Sequence, residues 1–303
     1  MKRLTIGLLV LAAMAAAPVQ ATEWQLTTTA GDNLSPAWCD GWIAFQSGRN
    51  GHMEMWAMDE SGEAINCWRI TTNPANTDQD PTWNATCTHI YFQSRTTGTS
   101  RLYYISKIGP PAQPIAVSLG TGDDEAPNAS SGGVVFHSDE SGHDDIMWMP
   151  LGGESSSTFL TNNLDSYEDR YPCWSPTDTL VAFASNRSGN WDIWLVHADG
   201  EAHGIWQLTS DPADETEPAF DPGGGLLAFH RDGVGIVAID MGTRQEHVVT
   251  SDPTDTQPCW SPDGTEIAFA RGSVDRHIWA TDGVPETGIE QSSSWGQIKA
   301  LYR

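Results

Sequence analysis

The sequence predicts an all-β protein: a six-bladed β-propeller of four-stranded blades whose ring is closed by the N-terminal strand. Three observations predict it. One proline-centred pattern recurs six times at a period near 45 residues, each copy holds short strand-like runs, and a spare strand-like segment stands before the first copy. Four strands in a repeat of that length is the arithmetic of a propeller blade. A lone blade covers neither of its faces, so neighbours must stack until the ring closes.

The anchor prolines are Pro36, Pro81, Pro127, Pro172, Pro218 and Pro258, spaced 45, 46, 45, 46 and 40 residues apart. Two places after them stand Trp38, Trp83, Trp174, Phe220 and Trp260, with Ala129 in the third copy. These aromatics are expected to fill the wedge between radiating sheets; the alternative is a ligand-stacking platform at Trp174 or Trp260. Next come apolar runs ending in Phe: 42–45, 89–92, 134–136, 180–183, 226–229 and 267–269. Short β-branched and aromatic runs between turn residues form strands. Asp263-Gly264, Thr177-Asp178 and Gly223-Gly224-Gly225 supply the turns before them, because Gly adopts positive φ cheaply and Asp tolerates it. Third strands are expected at 53–58, 102–105, 146–149, 193–196, 236–239 and 277–280, and fourth strands at 68–71, 115–118, 159–161, 206–209 and 248–250.

The sixth copy lacks a fourth strand after Asp282-Gly283, whereas Glu23-Trp24-Gln25-Leu26-Thr27 matches Trp206-Gln207-Leu208-Thr209 and belongs to no copy of its own. Residues 23–27 are therefore expected to complete blade six. Trp295, Ile298 and Tyr302 fall three and four apart in a tail from about 284 to 303, which suits a short terminal helix; the alternative is an outer strand of blade six.

Residues 1–21 carry Lys2 and Arg3, then an apolar run closing on Val19-Gln20-Ala21. That is the pattern of a cleaved secretory signal, with a retained anchor as the alternative. The rest, 22–303, is expected to be one propeller domain with no integral membrane segment, periplasmic or secreted. Forty acidic residues against 15 basic ones give a formal charge of −25, which repels nucleic acid and favours cations or basic partners. Five cysteines, Cys39, Cys67, Cys87, Cys173 and Cys259, stand in a compartment that permits disulfides. An odd number leaves at least one unpaired within the chain, and no spacing among them suits a zinc site.

Leu-Thr, then Pro-x-Trp-Ser-Pro-Asp-Gly, then Ile-Ala-Phe, then Ile-Trp and Asp-Gly, complete at 257–283, resembles the WD40-like (PD40) repeats of the TolB propeller family. The resemblance covers essentially 23–283. It implies a six-bladed ring, and in TolB itself a propeller that binds a lipoprotein and a colicin peptide. TolB also carries an N-terminal α/β domain, for which there is no room between Ala21 and Glu23, so the expectation is a TolB-like propeller rather than TolB. Similar repeats occur in oligogalacturonate lyases and ahead of the hydrolase domain of some serine peptidases, so the pattern specifies fold more than function.

Three residues before each anchor proline stand Asn33, Asp78, Asp124, Asp169, Glu215 and Asp255. The loop between successive blades lies at one end of the channel, so these positions are expected to ring its mouth and bind an envelope or extracellular protein or peptide. Asp78, Asp124, Asp169 and Glu215 are also candidate ligands for a divalent cation such as calcium; no cofactor is otherwise implied. The alternative is that these side chains satisfy local backbone groups. Asp32, Asp80, Asp123, Glu168, Asp214 and Glu217 thicken the ring. His137 and His230 follow Phe136 and Phe229 at matching positions, and as a general base beside carboxylates they are the candidate catalytic residues of the other function class, a carbohydrate-active enzyme. Gly-x-Ser-x-Gly is absent, so no nucleophile elbow is expected.

Overall fold

The structure, a computed structural model, describes residues 21–285 except 73–74, 97, 108–112, 119, 152–156, 163–166 and 201–203. The signal segment and the tail with Trp295, Ile298 and Tyr302 lie outside the described residues. Six antiparallel sheets of four strands make up the fold, each in simple sequential order except the one that joins the chain's two ends. There Glu23–Gln25 pairs with His277–Thr281, Glu23 opposite Thr281 and Gln25 opposite Trp279, as the spare N-terminal segment predicts.

Each blade begins with an inner strand: Asn33–Cys39, Thr77–Trp83, Asp124–Ala129, Asp169–Trp174, Glu215–Phe220 and Thr256–Trp260. The strand-two phenylalanines, Phe45, Phe92, Phe136, Phe183, Phe229 and Phe269, are all at most 1% exposed. Each such side chain stabilises the fold by roughly 1.5–3 kcal/mol relative to exposure. They sit in six apolar clusters, and every cluster draws on two adjacent blades, as where Phe183 meets Val135 and Ile146. Trp83, Trp174 and Trp260 are 5–6% exposed, so they pack between sheets. Trp83 Nε1 donates to the Ala37 carbonyl at 2.9 Å and Trp260 Nε1 to that of Ala219 at 3.0 Å, each in the preceding blade.

Fourth strands are shorter than the sequence suggests, ending at Arg69, Ala116, Phe159, Gln207, Val248 and Gln25. The Leu-Thr pair leaves the sheet because both of its N–H groups turn onto a single carbonyl: Ile70 and Thr71 onto Met55, Leu208 and Thr209 onto Ile193. The hydroxyl then accepts the N–H of that same third-strand residue, at 2.9–3.0 Å, in all six blades (Thr27, Thr71, Ser118, Thr161, Thr209 and Thr250). The recurring threonine, a serine in blade two, is thus a strand terminator that satisfies the third-strand N–H beside it.

Cys39 at the end of blade one's inner strand is bonded to Cys87 in the first turn of blade two, 48 residues on. Cys67, Cys173 and Cys259 are free. A crosslink over a loop of that size restricts the unfolded chain and stabilises by about 2–4 kcal/mol. Replacing Cys39 and Cys87 together by Ser should lower the free energy of denaturant unfolding by that amount, whereas replacing Cys67 alone should leave it within about 1 kcal/mol.

Candidate functional site

The six positions three residues before the anchor prolines are buried: Asn33, Asp169, Glu215 and Asp255 are 0% exposed, Asp124 2% and Asp78 3%. Their partners lie within the sheets. Arg187 Nη2 donates to both oxygens of Asp169 at 2.8 and 2.6 Å, and Arg271 donates to Asp255 through Nε at 2.6 Å and Nη2 at 2.7 Å. Glu215 holds Arg231 at 2.5–2.7 Å, and Asn33 accepts from Ser47 and Arg49 at 2.8 Å. Those four arginines lie over the strand-two phenylalanines, 5.0–5.6 Å from the ring centroids. Blades two and three substitute hydroxyls: Ser94 and Thr71 on Asp78, Ser118 and Ser138 on Asp124. Burial holds the carboxyls of Asp78, Asp124, Glu215 and Asp255 above the usual range.

This geometry corrects the expectation of an open acidic ring at these positions. The carboxylates are buried inside the blades against arginines and hydroxyls of other strands, not against local backbone N–H groups as in the alternative, and Asp124 Oδ2 and Glu215 Oε2 keep no hydrogen-bond partner among the described residues. Nor do Asp78, Asp124, Asp169 and Glu215 gather as metal donors; among the described residues no group of three or more His, Cys, Asp or Glu side chains is placed to hold a cation.

The mouth is built two residues further on. The residue directly before each anchor proline, Ser35, Asp80, Ala126, Tyr171, Glu217 or Gln257, has a positive φ of 46–57°. At that point every inner strand slips register by a bulge. Left-handed conformations cost a non-glycine residue about 1–3 kcal/mol, and here they re-aim the backbone, in four of the six blades so that its N–H meets a neighbouring side chain. Asp80 N donates to Gln46 Oε1 at 2.7 Å, Ala126 N to Gln93 Oε1 at 2.7 Å, Ser35 N to Gln257 Oε1 at 2.9 Å and Gln257 N to Glu217 Oε2 at 2.7 Å. Around this ring opens a polar cavity of about 520 Å³ to which all six blades contribute.

Three arginines reach the cavity, each held by an acid at the rim. Arg95 bonds Glu125 at 2.7 Å and Asp123 at 3.2 Å, Arg276 bonds Asp32 at 3.0 Å, and Arg170 bonds Asp144. Asp80 and Glu217 make no ion pair among the described residues. Asp80 accepts from Ser35 Oγ at 2.7 Å. Burial pushes its carboxyl up to about 6, opposed by the Ser35 bond and reinforced by the Glu125 charge. Glu217 is pushed up to about 7, by burial first and then by the Asp80 charge, against the Gln257 N–H. Tyr171 is pushed up to about 12 by burial, with Glu217 and Asp80 adding to it.

The two candidate histidines part company. His137 lines the cavity, edge-on to Tyr171 at 5.7 Å, and burial takes its pKa down to about 4. Its Nε2 is 3.8 Å from Glu125 Oε2, too far for a hydrogen bond. His230 holds the Asp255 carbonyl through Nδ1 at 2.8 Å, so the two form no joint site. Sequence reasoning named Asp80 and Glu217 only as supplementary acids and passed over Tyr171, Arg95, Arg170 and Arg276. The signal was available: the position before the proline differs in every copy, whereas the position three before it is nearly uniform.

Comparison with known proteins returns the PD40 family model, described as the TolB β-propeller domain, over residues 18–204. Among solved structures, a putative TolB from Agrobacterium tumefaciens matches with a TM-score of 0.65 at 17% identity, covering 82% of this chain and 90% of that one. TolB from Acinetobacter baumannii matches at 0.55 and 18% identity; 83% of this chain is covered but only 54% of that longer one. A gluconolactonase from Xanthomonas campestris matches at 0.66 and 16% identity, with 89% and 92% covered. Likeness at such identities is a likeness of fold. A search of curated proteins returns no match. No helix among the described residues is long and apolar enough to cross a membrane.

Two expectations follow from the site. Removing one partner of a buried ion pair strands the other: Arg187→Ala, which leaves Asp169 uncompensated, should cost about 3–5 kcal/mol in denaturant unfolding. The channel carboxyls act in the opposite sense. An acid whose folded pKa is raised holds its proton more tightly folded than unfolded, so stability falls as pH rises from its unfolded value through 6 to 7. The isosteres Asp80→Asn and Glu217→Gln should therefore raise the melting temperature at pH 8, by a margin that shrinks by pH 5.

Proposed function

The chain belongs to the PD40 family of TolB β-propeller domains, and on that premise we propose that it is a protein- or peptide-binding module, periplasmic or secreted, that offers one mouth of its channel to a partner. A single observation carries this reading. The mouth is a half-buried polar recess of about 520 Å³ lined from all six blades by side chains that differ from blade to blade. A surface of that kind suits one asymmetric segment, with electrostatic complementarity setting specificity and encounter rate. Its charge is mixed at the rim, where arginines pair with acids, and acidic at the floor. The recess replaces the six buried acids as the binding surface.

A carbohydrate-active enzyme is the second reading, favoured by one observation: His137 shares the recess with Glu125, Asp80 and Glu217. Its requirement is a base within hydrogen-bond reach of a substrate proton, and His137 is the group that would supply it. The binding reading needs only the recess.

A photo-crosslinking residue at Gln79, in the recess, and another at Val248, 61% exposed on an outermost strand, separate the two. In an envelope extract the Gln79 probe should yield a discrete crosslinked protein that the Val248 probe does not. Equal yields from both positions, or turnover of a uronate-rich polysaccharide that His137→Ala abolishes, would overturn the module reading.

A further inference from the structure

Blades one and four hold a guanidinium in the same frame. Phe45 lies opposite Trp56 and Phe183 opposite Trp194, while Asn33 lies opposite Ser47 and Asp169 opposite Ser185. Arg49 and Arg187, each four residues after the phenylalanine, lie over both rings at 4.5–5.6 Å. Their Nε donates to the serine hydroxyl at 2.8 and 2.9 Å, and their Nη2 to Asn33 or Asp169 at 2.6–2.8 Å. Blade two repeats this frame with a threonine at the arginine position. Phe92 lies opposite Tyr103, their rings stacked 6.1 Å apart, Asp78 lies opposite Ser94, and Thr96 stands four residues after the phenylalanine. A cavity of about 340 Å³ opens at that point, lined by Asp78, Ser94, Thr96 and Tyr103 and by Thr71 of blade one. Thr72 and Gln113, also on its lining, are exposed, so it meets solvent. Each of the other buried acids in the series has an arginine within 4 Å, even Asp124, whose Oδ2 is 3.9 Å from Arg101 Nη1. Asp78 makes no ion pair among the described residues: its donors are the hydroxyls of Ser94, at 2.5 Å, and Thr71.

We propose that this cavity, at the seam of blades one and two, is a guanidinium site that takes the arginine side chain of a partner segment or a free guanidino compound between Asp78 and the Tyr103 ring. The chain itself supplies the warrant, because the same aromatic face, serine hydroxyl and inner-strand acceptor hold a guanidinium in two other blades. A planar guanidinium stacks on an aromatic ring while its N–H fork meets a carboxylate, and Asp78 brings the charge that Asn33 lacks in blade one. Asn76 Nδ2 reaches Ser94 Oγ at 3.3 Å, a long bond that an incoming Nε–H displaces at the oxygen that takes Nε in blades one and four. An ammonium fits less well: it is a compact, strongly hydrated charge, and a single carboxylate already shared by two hydroxyls offsets little of that hydration. The formal charge of −25 draws cations of either kind toward the surface, so the selectivity lies in the ring. The cavity shares no lining residue with the recess at the mouth, and the inference stands apart from the module reading.

Titration calorimetry at pH 8 with acetyl-Gly-Arg-Gly-amide, its lysine counterpart and agmatine tests it on the wild-type protein, Asp78→Asn and Thr96→Arg, with thermal unfolding of each. The arginine peptide should bind the wild type roughly tenfold more tightly than the lysine peptide, and Asp78→Asn should weaken it by about as much. Thr96→Arg supplies the guanidinium from within the chain, so it should abolish binding and raise the melting temperature by about 2–4 °C. Agmatine binding more tightly than the arginine peptide identifies a free guanidino compound as the occupant, and the reverse order identifies a partner's arginine; either supports the site. Equal affinity for the lysine peptide, no binding of any guanidinium probe, affinity retained in Thr96→Arg, or a Thr96→Arg protein that melts no higher than the wild type would overturn the inference. Should Asp78→Asn fail to fold, the Thr96→Arg arm decides alone.

Discussion

A four-stranded sheet has two faces and cannot cover either, and every other feature of this protein follows from how that deficit is met. Each blade lends one face to each neighbour, and the wedge between them is filled by the strand-two phenylalanine and, in every blade but the third, the aromatic after the anchor proline. Six such wedges make six apolar clusters, each shared by two blades. Stability therefore resides at the seams, and a ring with one seam missing would expose two faces at once. Strand exchange between the chain's ends closes the last seam, reinforced by Arg271, which bonds Asp255 in blade six and Glu23 at 2.6 Å in the N-terminal strand.

The same seams explain where the buried charge lies. Where the end of one blade passes into the next, backbone groups would be left in an apolar setting. The threonine or serine hydroxyl accepts a backbone N–H there, and the carboxylate three residues before the proline and the arginine over the phenylalanine extend a chain of donors and acceptors from it. Such a network stabilises only when every member is present. Its members accordingly repeat from blade to blade, with serines standing in where arginine is absent.

That repetition explains what could be read in the sequence and what could not. The blade count, the ring closure by residues 23–27 and the packing role of Trp83, Trp174 and Trp260 were legible, because each depends on spacing and apolarity alone. Assigning Asn33, Asp78, Asp124, Asp169, Glu215 and Asp255 to an open mouth went astray because strand position does not reveal which partners a side chain finds: Arg187 lies 18 residues beyond Asp169 and Arg231 16 beyond Glu215. The bulge was invisible for a related reason. A residue before proline is steered from the right-handed helical region, but its turn to positive φ, which in four of the blades goes with an N–H donated to a neighbouring blade's side chain, leaves no mark in spacing or apolarity. Uniformity across copies marks what the ring needs to stand, and divergence across copies marks what one particular ring is for. By that criterion Ser35, Asp80, Ala126, Tyr171, Glu217 and Gln257 are the positions to read first in any protein of this architecture.

Closure by the N-terminal strand also decides how the ring is presented. Glu23 lies opposite Thr281, and Thr281 opposite Ile267, at the end of blade six where its first two strands turn; Thr256, beside the mouth, lies opposite Ala270 at the other end. Ala21 and Gly283 are neighbours there. Anything joined to the chain at either point is moored to the far rim of the disc, and a disc moored by its back displays its opening to whatever approaches from the front.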